Sequence, residues 1–419
     1  MKKLVTLVYA CVIATSNLFA GGFQLNEHGA RAMAMAGAFT GLANDPSAVF
    51  FNPAGITQLD GTKFYAGSTL ILPMHSYTSP APMNSETETL GQTFAVINFY
   101  ATHKLSNRIS IGVGVNNQYG LGTKWDANWV GKYLALETNI KSFFFTPVIA
   151  VKILDNLSIS GGATIAMANV LITNKIKSAI GSTDPIVTLE ADYTTAIGFT
   201  AGILWKPTNK LQIGAAYRSE STFDFSGTVT SDPASFVHPT YKINIPYPNG
   251  SASASLTTPQ NFSVGLAFMP NDAWTIAVDG QYVGWSSYGT LEITLNDYNA
   301  ANPTVAGSTV ESAKKDWQDT YILRLGFEYK ASDNFALRFG VLYDHNPVKT
   351  MYVDPSLPDA DRIGYNIGFG GKLTEHLVID FAYLYELFMD RNVSGSYYGL
   401  NGTYKNIAHL FALNFGYSL

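Results

Sequence analysis

The sequence predicts an all-β chain: a 14-stranded antiparallel transmembrane β-barrel with an N-terminal plug (hatch) containing short helices. Three observations lead there. The chain is apolar and charge-poor without a long apolar helix, its apolar residues alternate in strand-length runs, and short turns alternate with long polar loops.

Of the 419 residues, 47% are hydrophobic, 13% aromatic and only 14% charged. Soluble domains carry about 25% charged residues, so this chain lacks the groups that keep a surface in water. Its formal charge of -5 offers no basic stripe to neutralise phosphates, and no nucleic-acid partner is expected. Lys2 and Lys3, the apolar stretch Leu4 to Ala14, and Leu18-Phe19-Ala20 before Gly21 have the layout of a secretory leader, residues 1–20. Cleavage there removes the single cysteine, Cys11, and takes the formal charge to -7. A lipoprotein-type cut at Cys11 would leave too short an apolar region. No metal or redox cluster can then be built from cysteine, and no cofactor is expected. Beyond the leader no run of about 18 apolar residues occurs. A secreted, apolar chain of this kind is either a large soluble β-protein or a membrane barrel, in which every strand edge is paired.

The strands favour the barrel. In LVIDFAYLYELFM, Leu377, Ile379, Phe381, Tyr383, Tyr385, Leu387 and Met389 share one face, while Asp380 and Glu386 lie on the other. Tyr321, Leu323, Leu325, Phe327 and Tyr329 oppose Arg324, Glu328 and Lys330. Leu211, Ile213, Ala215 and Tyr217 oppose Gln212, Arg218 and Glu220. Period-two alternation also suits a sandwich with one wet face. The long apolar stripe with aromatic ends argues for lipid.

Six short polar breaks, at 105–107, 154–156, 207–209, 270–272, 331–334 and 373–376, read as tight turns. Between them lie long polar segments: Ser76 to Leu90, Leu121 to Leu136, Ser178 to Glu190, Val229 to Gly250, Asn296 to Ala313, Lys349 to Ala360 and Arg391 to Gly402. Six turns join twelve strands. A strand near Lys63 to Met74 precedes them and one near Tyr404 to Leu419 follows, which gives fourteen with both ends on the tight-turn, periplasmic side. Trp205 and Trp274 flank tight turns, where an interfacial girdle belongs.

Residues 21–60 fit neither strand nor loop, and the barrel proper is expected over 61–419. HGARAMAMAGAFTGLA, His28 to Ala43, is composed for a short helix packed closely on other backbone. Asp45-Pro46-Ser47 and Asn52-Pro53-Ala54-Gly55 then turn the chain. A segment this apolar must be covered, and the bore of a fourteen-stranded barrel can cover it.

GFQLNEHGARAMAMAGAFTGLANDPSAVFFNPAGI resembles the N-terminal hatch of the outer-membrane long-chain fatty acid transporter family (FadL/TodX type, OmpP1), with Asn52-Pro53-Ala54 as its signature. NQYGLGTKW, YRSE, VGWSSYGTL, DWQDTYILRLGFEY, YDHNPV and LPDADR follow in the family's order across the mature chain. The resemblance implies a monomeric barrel of the bacterial outer membrane, set among its lipid and lipopolysaccharide. Its expected cargo is long-chain fatty acids or other hydrophobic small molecules, aromatic hydrocarbons included. Cargo would be caught by the outer loops, bound in an inner pocket, and released sideways through a kink in the third strand when the hatch moves.

Placed on this sequence, the hatch carries Phe50, Phe51, Asn52, Pro53 and Ala54. Pocket candidates are Gly21, Phe23, Ile56, Ile165 and Met167, and Lys175 and Lys314 are candidates to meet a carboxylate. Lys175 is one step beyond Asn174, where a base would align, and so would face the other way. Trp125, Trp129, Val130 and Tyr133 form a candidate exposed capture cluster. In ISIGVGVNNQYG, Gly112 and Gly114 weaken the third strand and Asn116-Asn117 interrupts its alternation, as a bulge would, and the resemblance implies that these four residues form the lateral gate. The sequence has no G-x-S-x-G and no H-E-x-x-H, so an enzyme is not expected. A general porin would need an open, charged bore instead of an apolar plug.

Overall fold

The structure, a computed structural model, describes residues 21–178, 183–300 and 303–419. The expected leader lies outside the described residues. Fourteen wall strands follow in chain order. They are β1 (Thr62–Thr78), β2 (Phe94–Lys104), β3 (Ile109–Asn116, resumed at Gly120–Lys124), β4 (Glu137–Leu154) and β5 (Leu157–Lys175). Next come β6 (Ile186–Thr208), β7 (Leu211–Arg218 and Ser221–Asp232), β8 (Gly250–Thr258 and Asn261–Phe268) and β9 (Trp274–Val283 and Thr290–Leu295). The last are β10 (Thr309–Lys314 and Thr320–Ser332), β11 (Phe335–Asp344), β12 (Arg362–Lys372), β13 (Leu377–Phe388 and Arg391–Val393) and β14 (Gly402–Ser418). Each pairs antiparallel with its neighbours, and β1 closes the ring on β14 from Lys63 opposite Ser418 to Thr78 opposite Thr403.

The six expected tight turns all join strands at the end that holds Thr62 and Ser418. At the other end several strands run further than expected. β6 begins at Ile186 and β10 at Thr309, both inside segments read as loops. These extensions rise above the lipid, where the outer face carries no apolar stripe, so alternation weakens although pairing continues.

The two faces divide as the alternation requires. Arg324 and Glu328 are buried, whereas Leu323 on the same strand is 51% exposed. On β13, Asp380, Ala382, Leu384 and Glu386 point inward. Trp205 stands on the outer face beside a tight turn, and Trp274 lies 4.8 Å from Tyr329 at another. An outer surface of Leu, Ile, Val and aromatic side chains is stable only in lipid.

Residues ahead of β1 pack against this inward face. They form a five-residue helix α1 (Ala30–Ala34), a turn of helix α2 (Ala48–Phe51) and a 3-10 turn (Pro53–Gln58). The helix expected over His28 to Ala43 stops early, because Ala36 and Gly37 adopt φ of 59° and 73°. The small residues serve close approach instead. A Cβ on Gly340 of the wall would fall 2.7 Å from the Met35 carbonyl carbon.

With little secondary structure of its own, the segment leaves backbone groups to be satisfied by the wall. Asp279 Oδ2 on β9 accepts from the amides of Phe39 and Thr40 at 2.9 and 2.7 Å. Asn414 Oδ1 on β14 accepts from Ala30 N–H at 2.9 Å, and Asn366 on β12 donates to the Met33 carbonyl at 2.7 Å. Arg31 donates to both oxygens of Glu328 at 2.9 and 3.0 Å, and Arg338 links Glu328 to Asp380, each contact 2.6 Å. The polar inner face is thus a set of docking partners reaching around the barrel.

Candidate functional site: an inner cavity at a break in the wall

The wall is interrupted at one place on β3. Asn116 pairs with Phe144 of β4 and Gly120 with Lys141, so three residues of β3 lie opposite two of β4. This is a bulge, and it turns Asn117, Gln118 and Tyr119 out of the ladder. On the other side, pairing of β2 with β3 ends at Asn98 opposite Asn116. The next backbone bond between those two chain segments is Leu90 N–H to the Lys124 carbonyl, at 2.7 Å. Residues 94–97 keep their partners on β1 and, among the described residues, have no ladder partner on β3.

Asn117 bridges the interruption with its side chain. Its Oδ1 accepts from Ile97 N–H at 2.8 Å, and its amide donates to the Ser142 carbonyl at 2.5 Å. The displaced backbone pairs instead with the start of the plug. Leu25 N–H donates to the Gln118 carbonyl at 2.9 Å, and Gly120 N–H donates to the Phe23 carbonyl at 3.0 Å.

Behind the break lies a cavity of about 440 Å³. It runs from Gly22 and Phe23 of the plug to Phe94, Gly122 and Phe143 at the wall opening. Its lining is mainly apolar, with Leu25, Ile71, Tyr119, Leu121, Phe388 and Leu410 among the walls. Phe23 is held in an aromatic nest, 4.7 Å from Trp285 and 5.9 Å from Trp317. Trp285 Nε1 donates to the Gly21 carbonyl at 3.1 Å. Gly22 N–H donates to Asp359 Oδ2 at 2.8 Å. Burial pushes the Asp359 carboxyl up to about 8, against the pull of Arg362 and the Gly22 amide. Burial also holds Glu27 above the ordinary glutamate range, with Arg362 opposing.

The hatch candidates lie deeper. Asn52 donates to the carbonyls of Thr40 and Ile203, both at 2.9 Å, and accepts from Ala54 N–H at 3.2 Å. Pro53 opens the 3-10 turn, where its missing N–H costs nothing. Phe50 and Phe51 meet edge to face at 4.9 Å, with the Arg218 guanidinium 4.2 Å over Phe50. Ile56, fully buried, belongs to this plug core and is absent from the cavity lining, which corrects its expected place.

Other expectations are corrected too. Ile165 and Met167 are 45% and 43% exposed on the outer side of β5, because Thr164, Ala166 and Ala168 take the inward positions. Lys175 ends β5 outside the cavity. Lys314 is exposed, with its ammonium 5.5 Å from the Tyr352 ring centre. Its neighbour Lys315 is the buried one, 2.5 Å from Asp354. Trp125 and Trp129 are 2% and 4% exposed, so they are no open capture surface. They stack at 4.2 Å and donate to the Pro355 and Ala135 carbonyls at 2.9 and 2.8 Å. Val130 and Tyr133 do face outward. Gly112 and Gly114 sit in regular pairing below the break, against Val49 of the plug. Asn116 donates to Tyr100 OH at 3.2 Å, which leaves Asn117 as the residue at the opening.

Trp285, Trp317, Asp359 and Arg362 received no role in the sequence reading. All four lie in the segments quoted above for their resemblance, VGWSSYGTL, DWQDTYILRLGFEY and LPDADR. Their meeting across the barrel is a tertiary fact.

A lipid-facing barrel with a filled bore and an apolar cavity at a wall break defines an outer-membrane transporter of hydrophobic substrates. Residues 11–419 match the family described as outer membrane protein transport protein (OMPP1/FadL/TodX), and the chain belongs to that family. It is 26% identical over 446 aligned residues to the long-chain fatty acid transport protein of Escherichia coli K12, covering 98% of this chain and 97% of that one. The crystal structure of a Pseudomonas aeruginosa FadL homologue matches its fold with TM-score 0.80 at 21% identity, covering 95% of this chain and 100% of that one. The Pseudomonas putida toluene transporter TodX matches with TM-score 0.77 at 14% identity, covering 94% and 99%.

Proposed function

We propose that this chain takes up hydrophobic small molecules passively, long-chain fatty acids foremost, and releases them sideways into the outer membrane. The observation that carries this reading is the continuity of the cavity from the plug's first residues to the interruption between β2 and β3. An alkyl chain gains about 0.8 kcal/mol per CH₂ on leaving water. A dry path to lipid therefore serves such cargo better than an aqueous bore. Val130 and Tyr133 offer the outer contact, the cavity holds the cargo, and Asn117 stands at the gate. Residues 21–60 act as the hatch. Its first residues are bonded to the bulge itself, so movement there changes both cavity and opening. A single chain closes the ring, and we read the working unit as a monomer.

Aromatic hydrocarbons are the second reading. It is favoured by the absence of Lys175 and Lys314 from the cavity, and by the toluene transporter among the structural relatives. Cells that lack their own transporter and express this chain should accumulate labelled oleate faster than cells without it, and the same comparison with labelled toluene ranks the two readings. Equal accumulation of both compounds with and without the chain contradicts the uptake reading. Swelling of liposomes carrying the protein in sugar solutions would point to a hydrophilic porin instead.

A further inference from the structure

A second interruption of the wall lies between β6 and β7. Thr200 pairs with Arg218 and, further up, Ala191 with Gly227, but among the described residues those between have no ladder partners across this seam. Both ends keep one register, which would set Ala196 opposite Thr222. Ala196 is buried and Thr222 exposed, so that register opposes an inward side chain with an outward one and the ladder fails. The alternation shifts on β6 because Asp192 and Tyr193 together lie opposite Asn169 of β5. On β7 it shifts where the strand breaks, at Ser219 and Glu220.

The seam is level with the first break: Phe143 pairs with Met167, and Met167 with Thr195. Side chains again stand in for ladder bonds. Phe199 N–H donates to Ser219 Oγ at 2.9 Å, and Thr194 Oγ1 donates to the Asp224 carbonyl at 3.0 Å. Outside, Tyr193, Ile197 and Phe199 are exposed. Inside, a cleft runs from Gln118 and Tyr119 of the bulge past Arg218 to Ser219, Ser221 and Phe199. Tyr119 also lines the cavity at the first break, so one side chain divides the two spaces. The cleft is too narrow here for water, but its strands can part without breaking a ladder.

Arg218 differs from the other arginines of the bore. Arg31, Arg338 and Arg362 are ion-paired with carboxylates. Arg324 faces Asp279, Asp344 and Glu27, and Arg391 faces Asp359 and Asp361. Arg218 has no carboxylate within ion-pair distance among the described residues. The titratable groups that act on it most strongly are Tyr119, Tyr100 and Arg324, and His28 lies near. Its Nη2 donates to the Phe50 carbonyl at 2.9 Å.

We propose that the seam between β6 and β7 is a second lateral port, for cargo with an ionised carboxylate head, whose charge Arg218 receives while the alkyl tail passes between the strands into lipid. This rests on the uptake reading and adds to it a route and a head-group site. A cation held away from bulk water without a counter-charge is costly, and a carboxylate matches the guanidinium fork. A neutral alcohol gains nothing from Arg218 and keeps the first break.

Cys11, in the expected leader, is the only cysteine, so a pair can be placed across the seam alone. A Cβ on Gly198 would fall 2.7 Å from Ser221 Oγ, which puts Gly198→Cys with Ser221→Cys within reach of a disulfide. In cells carrying this double variant as an assembled barrel, oxidation should lower oleate uptake about threefold or more relative to the reduced form. Uptake of oleyl alcohol should keep its reduced-form rate. Arg218→Gln should show the same selective loss of oleate. Equal oleate uptake in the oxidised and reduced forms overturns the port, and equal losses of oleate and oleyl alcohol in Arg218→Gln overturn the head-group site. Wild-type uptake no faster than in cells without the chain would instead remove the uptake reading, and the proposal with it.

Discussion

Deleting Gln118 should cut uptake about tenfold or more, equivalent to raising the rate-limiting barrier by ~1.4 kcal/mol, while the protein still reaches the outer membrane in normal amount. The reason is one of counting. Asn117, Gln118 and Tyr119 lie opposite only Ser142 and Phe143, and the extra residue makes the bulge. Removing one residue restores equal numbers, so the ladder can run through from Asn116 to Gly120. It also brings the second part of β3 back toward the open edge of β2 at residues 94–97. The same deletion removes the Gln118 carbonyl that accepts from Leu25, so the plug's first residues lose a tether as the wall closes. Two measurements separate the effects: oleate uptake reports the route, and heat-modifiable migration of the barrel reports assembly. Uptake above half of the wild-type rate with an assembled barrel contradicts the lateral route.

Replacing Asn52 and Pro53 together with alanine should also impair uptake while the barrel assembles. Asn52 is fully buried and satisfies Thr40, Ile203 and Ala54 with one side chain. Losing it strands groups that each cost about 1–3 kcal/mol when left unpaired in the interior. Pro53 fixes the backbone where the 3-10 turn begins. The wall has no share in these losses beyond the Ile203 carbonyl, and neither the ladder beside Ile203 nor the closure of β1 on β14 involves these two side chains. The plug should therefore loosen within an intact ring, seen as faster proteolysis between residues 30 and 60 alongside an uptake several-fold lower. Unchanged oleate uptake in cells carrying the double variant would remove the hatch as a moving part.

How far the molecule was legible in its sequence follows from what period two encodes. A strand between lipid and a filled bore must alternate, so Leu377 to Met389 and Tyr321 to Tyr329 announced both faces, and polar turns announced the reversals. Above the lipid the outer face can be polar, and there β6 and β10 outran their expected bounds. Alternation also misled where both faces of a strand are apolar. On β5 the large side chains, Ile165 and Met167, go to lipid, and small Thr164 and Ala166 face the crowded bore.

The loops hid more. Trp125 and Trp129 looked exposed because their segment is polar in sequence, but indole groups donate only one bond, and both find carbonyls inside the loop layer. Lys314 and Lys315 exchanged roles for the same reason, since neighbouring residues on an extended segment face opposite ways and one alone met Asp354. Asn117 was legible as an interruption of alternation. That its side chain takes the place of ladder bonds on both sides was not, because β2 and β4 supply the partners.

A photoreactive fatty acid with a diazirine near its methyl end, bound to the protein in outer-membrane vesicles and mapped after irradiation, follows the cargo itself. Cross-links should fall on Phe94, Ile140 and Phe143 around the wall opening. Cross-links concentrated instead on Arg31, Asn44 and Asp45, which line a separate space of about 280 Å³ beside Lys63 and Ser418 at the tight-turn end, would mean that cargo passes down the bore, and the sideways route would be wrong.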